Sequence, residues 1–238
     1  MTRPFLTAEW RHLLMVNWRV PPAVLAPLVP RGTELDCWDG SPWASIVAFR
    51  FLRTRLLGVP LPGYRDFDEV NLRFYVRRRE GREWRRAAVF VRELVPHRAI
   101  AWVAQLAYNE PYRALPMRST IVSQGAGGAL TFAWRRNGQW ESVGARVDAA
   151  PQPCDPASNA AFITEHYWGY TRQRDGGTIE YQVAHPPWRV APARDVTITA
   201  DIASLYGSAF ADIMAQAPDS AFVAEGSAVT VYRPRRVG

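Results

Sequence analysis

Residues Glu69 to Val76 alternate strictly between apolar and polar side chains. One set is Val70, Leu72, Phe74 and Val76, and the other is Glu69, Asn71, Arg73 and Tyr75. Because successive side chains of a β-strand point to opposite faces, the segment is predicted to be a strand with one buried face. The polar face has two interpretations: it lies in water, or it lines the interior of a barrel.

Strand signals dominate the rest of the chain. Asp39-Gly40 and Asn137-Gly138 are dipeptides typical of tight hairpin turns. Further strands are predicted at 10–19, 33–38, 43–51, 87–93, 132–135, 139–143, 178–184, 195–200 and 221–232, helices at 23–28, 97–108, 158–170 and 204–215, and a loop at 58–63. Many strands and few helices predict an α+β fold, predominantly antiparallel β and barrel-like. The proline-rich stretch 149–156 is interpreted as an internal connector, so residues 1–238 are expected to form a single domain.

Lysine is absent, and all 29 basic side chains are arginine. An imine requires an amine that loses its proton near neutral pH, whereas arginine remains protonated. Enzymes that depend on a Schiff-base lysine, and phosphate-binding loops that depend on a lysine, are therefore excluded, apart from any use of the N-terminal amine.

The net charge is +7, and a cluster of arginines occurs in residues 77–86. Gly81 indicates a hairpin turn there, so the cluster is predicted to be a solvated hairpin tip, with an anionic ligand or partner as the alternative. Nucleic acid is not expected, because no recognition motif accompanies the charge. Without a membrane-spanning run or a signal-type N-terminus, we expect a cytoplasmic protein that is not bound to a membrane.

No metal site or cofactor is expected. Cys37 and Cys154 lie far apart, and the four histidines lack a two-ligand spacing. The glycine-rich run 125–128 lacks the spacing of a dinucleotide-binding fingerprint.

Two polar groups are candidates for a functional site. The first is the polar face of residues 69–76. The second joins a predicted strand end and the loop after the next helix, with Glu93, His97, Asn109, Glu110, Tyr112, Arg113 and Arg118. Loops on a rigid scaffold often carry function, but capping and surface roles would explain the same residues.

Several segments together resemble the YqjF-like family. They are Trp10 with Leu13-Leu-Met-Val-Asn-Trp-Arg-Val-Pro-Pro22, Leu35-Asp-Cys-Trp-Asp-Gly40, Glu69-Val-Asn-Leu-Arg-Phe-Tyr-Val76, Phe162–Tyr170 and His185-Pro-Pro-Trp188. That family is similar to the acetoacetate-decarboxylase-like superfamily. The resemblance implies a cone-shaped β-barrel with a few peripheral helices and a ligand-sized interior pocket.

The resemblance also places Leu115–Arg118 at the segment that carries the imine-forming lysine in the decarboxylase. Met117 and Arg118 cannot form an imine, so the decarboxylase mechanism does not carry over. We expect Glu69 or Glu93 to act as the base and Tyr112 as the proton donor. Arg73 or Arg118 is expected to bind an anionic group, and Met117, His97 and Glu110 to contact the substrate.

The predicted activity is enolisation, dehydration or cyclisation of a small carbonyl or carboxylate compound. The alternative is a barrel that binds a ligand without catalysis. A small molecule is the expected partner, and assembly into a homo-oligomer is left open.

Overall fold

The computed structural model describes residues 3–124 and 127–237, so half of the glycine run 125–128 lies outside the described residues. The strands are β1 (Pro4–Arg19), β2 (Glu34–Leu35), β3 (Cys37–Trp38), β4 (Ser41–Leu56), β5 (Val59–Pro60), β6 (Phe67–Glu80), β7 (Glu83–Val95), β8 (Tyr112–Ala114), β9 (Met117–Gln124), β10 (Gly127–Arg136), β11 (Gln139–Val147), β12 (Gln152–Pro153), β13 (Trp168–Arg172), β14 (Thr178–Ala184), β15 (Arg189–Thr199), β16 (Ser220–Tyr232) and β17 (Arg235–Arg236). The helices are α1 (Pro22–Leu25), followed by a 3-10 turn (Ala26–Leu28), α2 (Arg98–Tyr108), α3 (Asn159–Thr164), α4 (Ile202–Tyr206) and α5 (Ser208–Met214).

Seven strands close into a barrel. Their hydrogen-bonded order around the ring is β1, β4, β6, β7, β13, β14 and β16, and β16 returns to β1. Six of these seven pairings are antiparallel, and only the pairing of β7 with β13 is parallel. The expected α+β barrel of predominantly antiparallel strands is therefore confirmed.

The remaining long strands form a second layer. β15 pairs with β16 and continues through β11 and β10 to β9. Leu72 and Phe74 of β6 share one apolar cluster with Phe132 and Trp134 of β10. The apolar face of the 69–76 segment thus packs outward against this second layer, which leaves Glu69, Asn71, Arg73 and Tyr75 on the interior side.

Two hairpin turns form where the dipeptides predicted them. Asp39, Gly40, Asn137 and Gly138 all have positive φ, between 49° and 81°, as a tight turn with the twist of a hairpin requires.

Three element predictions need correction. The helix predicted at 158–170 ends at Thr164, and Trp168–Arg172 instead forms β13, which inserts between β7 and β14. The helix predicted at 204–215 is two helices, because Gly207, with φ of 104°, interrupts it. The predicted loop 58–63 contains β5, a two-residue pairing with the end of β4.

The arginine cluster lies on the predicted hairpin, and Arg79 and Arg82 are exposed at its tip, but Arg78 and Arg85 are half-buried and paired. The carboxylate of Glu180, which is 1 % exposed, accepts a hydrogen bond from Arg85 Nη1 at 2.6 Å and from Arg235 Nε at 2.6 Å. Arg78 Nη1 lies 3.7 Å from the same carboxylate. The hairpin is therefore fixed to β14 by charge pairing that the local sequence does not reveal.

Candidate functional site

A pocket of about 330 Å³ occupies the interior of the barrel. Each of the seven ring strands contributes to its lining, through Leu13, Val47, Asn71, Phe90, Gly169, Tyr181 and Val231 among others. Helix α2 covers the pocket with Ile100, Val103 and Ala104. Most of the wall is apolar, and several aromatic side chains stand in it, including Trp10, Phe49, Phe51, Phe67 and Trp188.

A group of three buried carboxyls lies in this otherwise apolar wall. Glu69 is on β6, Glu93 is on β7, and Glu110 lies just before β8. Strand pairing brings them together, because Asn71 is opposite Glu93 and Glu93 is opposite Tyr112. We call Glu69, Glu93 and Glu110 the carboxyl cluster.

Hydrogen bonds hold two of the three carboxyls. Asn71 Nδ2 donates to Glu69 Oε1 at 2.9 Å, and the Tyr112 hydroxyl donates to Glu69 Oε2 at 3.1 Å. The hydroxyls of Thr171 and Tyr181 donate to Glu110 Oε1 at 2.6 and 2.7 Å.

The second oxygens are less well satisfied. As ionised carboxylates, Glu93 and Glu110 would each leave Oε2 buried without a hydrogen-bond donor among the described residues. A proton on Glu93 lets it donate to Glu110, and this hydrogen bond raises the pKa of Glu93 and lowers that of Glu110.

Burial in an apolar wall favours the neutral form of each carboxyl. It raises the pKa of Glu69 to about 7 against the opposing effect of its hydrogen bonds from Asn71 and Tyr112. Burial also raises the pKa of Glu110 to about 7, against the opposing effect of its hydrogen bonds from Thr171, Tyr181 and Glu93. The pKa of Glu93 is raised well above its usual range by burial and by the negative charges of Glu110 and Glu69. At neutral pH the cluster therefore holds Glu93 as a carboxylic acid and can both take up and release protons.

Tyr112 is held as a neutral hydroxyl. Burial and the neighbouring carboxylates raise its pKa well above its ordinary value, so it donates a hydrogen bond and does not ionise.

The pocket has a second polar region further along β6. Arg73 lines the pocket four residues after Glu69, which corresponds to about 13 Å along a strand. Its Nε donates to the Tyr75 hydroxyl at 3.2 Å and its Nη2 donates to the Ile163 carbonyl at 3.2 Å. His166 and His185 also line the pocket.

Five of the eight residues expected at the site line the pocket: Glu69, Arg73, Glu93, Glu110 and Tyr112. Arg118 and Met117 do not, and this corrects the placement of Leu115–Arg118 at the site. Arg118 is exposed on β9, with its guanidinium 4.1 Å from the ring centre of Trp140, and Met117 packs against the outer core. His97 precedes α2 and packs against Tyr64 and Phe67, behind the pocket wall.

Sequence reasoning missed Tyr181, Thr171, His166 and Gly169. Tyr181 belongs to a correctly predicted strand, where it shares a face with Ile179 and Val183, a pattern that does not separate a pocket residue from a core residue. Gly169 lies in the part of β13 that was predicted to be helix, and Thr171 follows directly after that predicted helix. His166 follows α3 and carries no local signal.

Within residues 3–124 and 127–237 there is no group of three or more metal-ligating side chains with the geometry to hold a metal ion. No helix in the same ranges combines the length and the apolar character that crossing a bilayer requires.

Comparison with known proteins decides the family. Residues 7–228 match the model of DUF2071, a family described as an uncharacterized conserved protein. The chain belongs to this family. It is also 30% identical, over 185 residues, to the uncharacterized protein YqjF of Bacillus subtilis, a match that covers 75% of this chain and 72% of that protein.

Solved structures share the fold of this DUF2071 protein. Acetoacetate decarboxylase from Legionella pneumophila superposes with a TM-score of 0.67 at 12% identity, over 98% of this chain and 87% of that one. The enduracididine biosynthesis enzyme MppR in complex with pyruvate gives a TM-score of 0.67 at 16% identity, over 100% of this chain and 92% of that one. The acetoacetate-decarboxylase-like barrel that the sequence implied is thereby confirmed.

Proposed function

We propose that the pocket binds a small carbonyl or carboxylate compound and catalyses proton transfer on it without forming an imine. The observation that carries the proposal is the position of Glu69. Its carboxyl is buried in an apolar pocket, its pKa is raised to about 7, and it is hydrogen-bonded to the neutral hydroxyl of Tyr112. A general base works best when its pKa lies near the working pH.

In this proposal Glu69 removes a proton from the carbon next to the carbonyl. Once Glu69 is protonated it can donate to the Tyr112 oxygen, which reverses their hydrogen bond and frees the Tyr112 O–H to donate to the oxygen on which negative charge develops. Glu93, which lies opposite Asn71 in the strand register, is the neighbouring acid that can return a proton. Enolisation, dehydration and cyclisation all require these steps.

Arg73 gives the ligand its orientation. In the part of the chain that the structure describes it is the one arginine that lines the pocket. A carboxylate at that end would pair with its guanidinium and be kept away from the carboxyl cluster, where like charges repel. The carbonyl end would then lie towards Glu69.

The relatives of known structure support a small-molecule ligand. MppR has the same fold and was solved in complex with pyruvate. The chemistry must differ wherever a lysine is required, because this chain has none.

A second candidate is a barrel that binds its ligand without catalysis. The predominantly apolar wall favours it, because such a wall buries a ligand without acting on it.

The two candidates are separated by proton exchange. Pyruvate or phenylpyruvate is incubated with the protein in heavy water, and loss of the signal of the protons next to the carbonyl is followed by proton NMR. We expect exchange above the buffer rate, with a loss of about 100-fold or more in Glu69→Gln. Glu225→Gln is the matched control, because Glu225 is exposed on β16. Binding of either acid without protein-dependent exchange would favour the non-catalytic barrel.

A further inference from the structure

His166 forms a buried charge network at the pocket wall, outside the carboxyl cluster. Its Nε2 lies 3.1 Å from Asp36 Oδ2, and Arg86 Nε donates to the same oxygen at 2.7 Å. Asp36 and His166 are both buried, and His166 is also among the residues that line the pocket.

The network determines which ring nitrogen of His166 carries the proton. Burial opposes ionisation of Asp36, but the hydrogen bonds from His166 and Arg86 outweigh it and lower the pKa of this carboxyl. An ionised carboxylate only accepts hydrogen bonds, so Nε2 must be the protonated nitrogen. Nδ1 is then left with a lone pair, as an acceptor.

The imidazole stays neutral at ordinary pH. Burial, together with the positive charges of Arg86 and Arg73, lowers the pKa of His166 to about 4 in spite of Asp36. The ring is also fixed in place, since Tyr75 lies against it at 4.4 Å and Phe162 meets it edge-on at 5.1 Å.

Nδ1 is buried and has no hydrogen-bond partner among the described residues. An acceptor in this state loses its hydration without compensation, which a ligand donor would restore. The network from Arg86 through Asp36 fixes the orientation of the ring, so the uncompensated atom is held in one place at the pocket wall.

We infer that His166 is a ligand-binding residue whose Nδ1 accepts a hydrogen bond from a hydroxyl or N–H group of the ligand. Asp36 and Arg86 are positioning residues, since they act on the ligand only through the ring. This inference rests on the proposed function and narrows the ligand class to carbonyl compounds that carry a second, donating group.

The separation of the polar groups sets the shape of that ligand. His166 packs on Tyr75, six residues after Glu69 on the same face of β6, and the aromatic wall lies along the pocket. Arg73 and His166 both lie beside Tyr75, so a ligand that reaches both regions has its carbonyl at the carboxyl cluster, an apolar body, and its carboxylate and donor together at the other end. Aromatic ketones that carry a 2-hydroxy acid on the opposite side of the ring have this pattern.

The protonation state is tested first, in the free protein. Nitrogen-15 NMR of the His166 ring should show hydrogen on Nε2 alone between about pH 5 and pH 8. Asp36→Asn should change the tautomer mixture, because an amide can also donate to Nε2. A ring that carries hydrogen on Nδ1 in the wild-type protein would overturn the inference.

The ligand contact is tested with 4-acetylphenylacetic acid and 4-acetylmandelic acid, which differ by one hydroxyl next to the carboxylate, in calorimetric titrations. The wild-type protein should bind the hydroxylated acid about tenfold more tightly, the worth of one buried hydrogen bond. His166→Phe should remove the preference and His166→Asn, which keeps an acceptor, should restore part of it. His185→Phe is the comparison variant, because it removes another imidazole from the pocket without touching Asp36.

The outcomes separate the two proposals. Equal affinity of the wild-type protein for both acids would overturn the role of His166 and leave the proton-transfer proposal standing. Binding of neither acid would overturn both. A preference for the hydroxylated acid that persists in His166→Phe would place the hydroxyl elsewhere in the pocket and overturn the inference.

Discussion

At the residue scale, the carboxyl cluster to which we assign proton transfer also lowers the stability of the folded protein as the pH rises. Glu69, Glu93 and Glu110 each have a raised pKa in the folded protein, and an unfolded chain would return them to their ordinary values. The folded state therefore binds more protons than the unfolded state between about pH 4.5 and the raised pKa values. Stability from this cluster is full below that range and is lost as the pH rises through about 7.

We predict that Glu93→Gln flattens the pH dependence of stability. Glutamine keeps the shape of the side chain but cannot ionise, so the free energy of unfolding should fall less between about pH 5 and pH 8. Urea unfolding at several pH values measures it, with Glu225→Gln as the exposed control. Identical slopes in the variant and the wild-type protein would show that Glu93 ionises normally.

The sequence revealed the members of this cluster but not all of its surroundings. The alternation of residues 69–76 showed that Glu69, Asn71 and Arg73 share a face, and the barrel resemblance indicated where that face points. The hydroxyls that bind Glu110 come from Thr171 and Tyr181, more than 60 residues away along the chain. Such pairings depend on strand order, which local patterns do not determine.

At the element scale, the pairing of β13 with β14 shapes the pocket wall. Gly169 lies directly opposite Tyr181, whose ring occupies the space above the glycine. A Cβ atom at position 169 would meet the Tyr181 ring at 2.2 Å. The absence of a side chain at 169 is therefore what lets the Tyr181 hydroxyl reach Glu110.

We predict that Gly169→Ala displaces Tyr181 and lowers stability by about 1–3 kcal/mol, as overpacking does. Thermal unfolding measures the loss. In a Tyr181→Ala background the same change should cost much less, because the clashing ring is gone, and this double-mutant cycle isolates the contact. Equal costs in both backgrounds would locate the strain elsewhere.

A second prediction at this scale concerns the β6–β7 hairpin. Glu180→Ala removes the buried carboxylate shared by Arg78, Arg85 and Arg235 and leaves these partly exposed guanidinium groups with Glu80 alone, so a loss of about 1–3 kcal/mol is expected. Arg79→Ala is the control, because Arg79 is exposed and such surface changes are usually within about 0.5 kcal/mol. Chemical denaturation measures both, and similar small effects would restore the view of a solvated tip.

At the scale of the whole molecule, the barrel joins distant parts of the chain. The ring includes four strands before residue 100 and three after residue 160. The proline-rich stretch at 149–156 holds only the short strand β12, which pairs with β15. The single domain over residues 1–238 stays a prediction, and this connectivity favours it.

We predict one cooperative unfolding transition for the whole chain. Far-UV circular dichroism reports the strands and tryptophan fluorescence reports the core, and their thermal transitions should coincide. Fragments 1–150 and 151–238 should each lack a cooperative transition, because neither contains a closed ring. Two separated transitions in the full chain would show that the connector divides it into independent units.

The fold class was predictable from the sequence, but the order in which the strands pair to close the barrel was not. The hairpin dipeptides and the alternation at 69–76 gave the strands, and the family resemblance gave the barrel. The last part of the helix predicted at 158–170 is strand from Trp168 onwards, because pairing with β7 and β14 outweighs the local helical spacing. Long-range pairing decides such segments.

The closing pair of the barrel, β1 with β16, has a consequence during synthesis. β1 leaves the ribosome before the other described strands and pairs with a strand that is made about 200 residues later. Until then, one edge of β1 has only water or a chaperone to satisfy its backbone, and the apolar lumen remains open. We therefore expect the nascent protein to depend on chaperones until translation has passed residue 232.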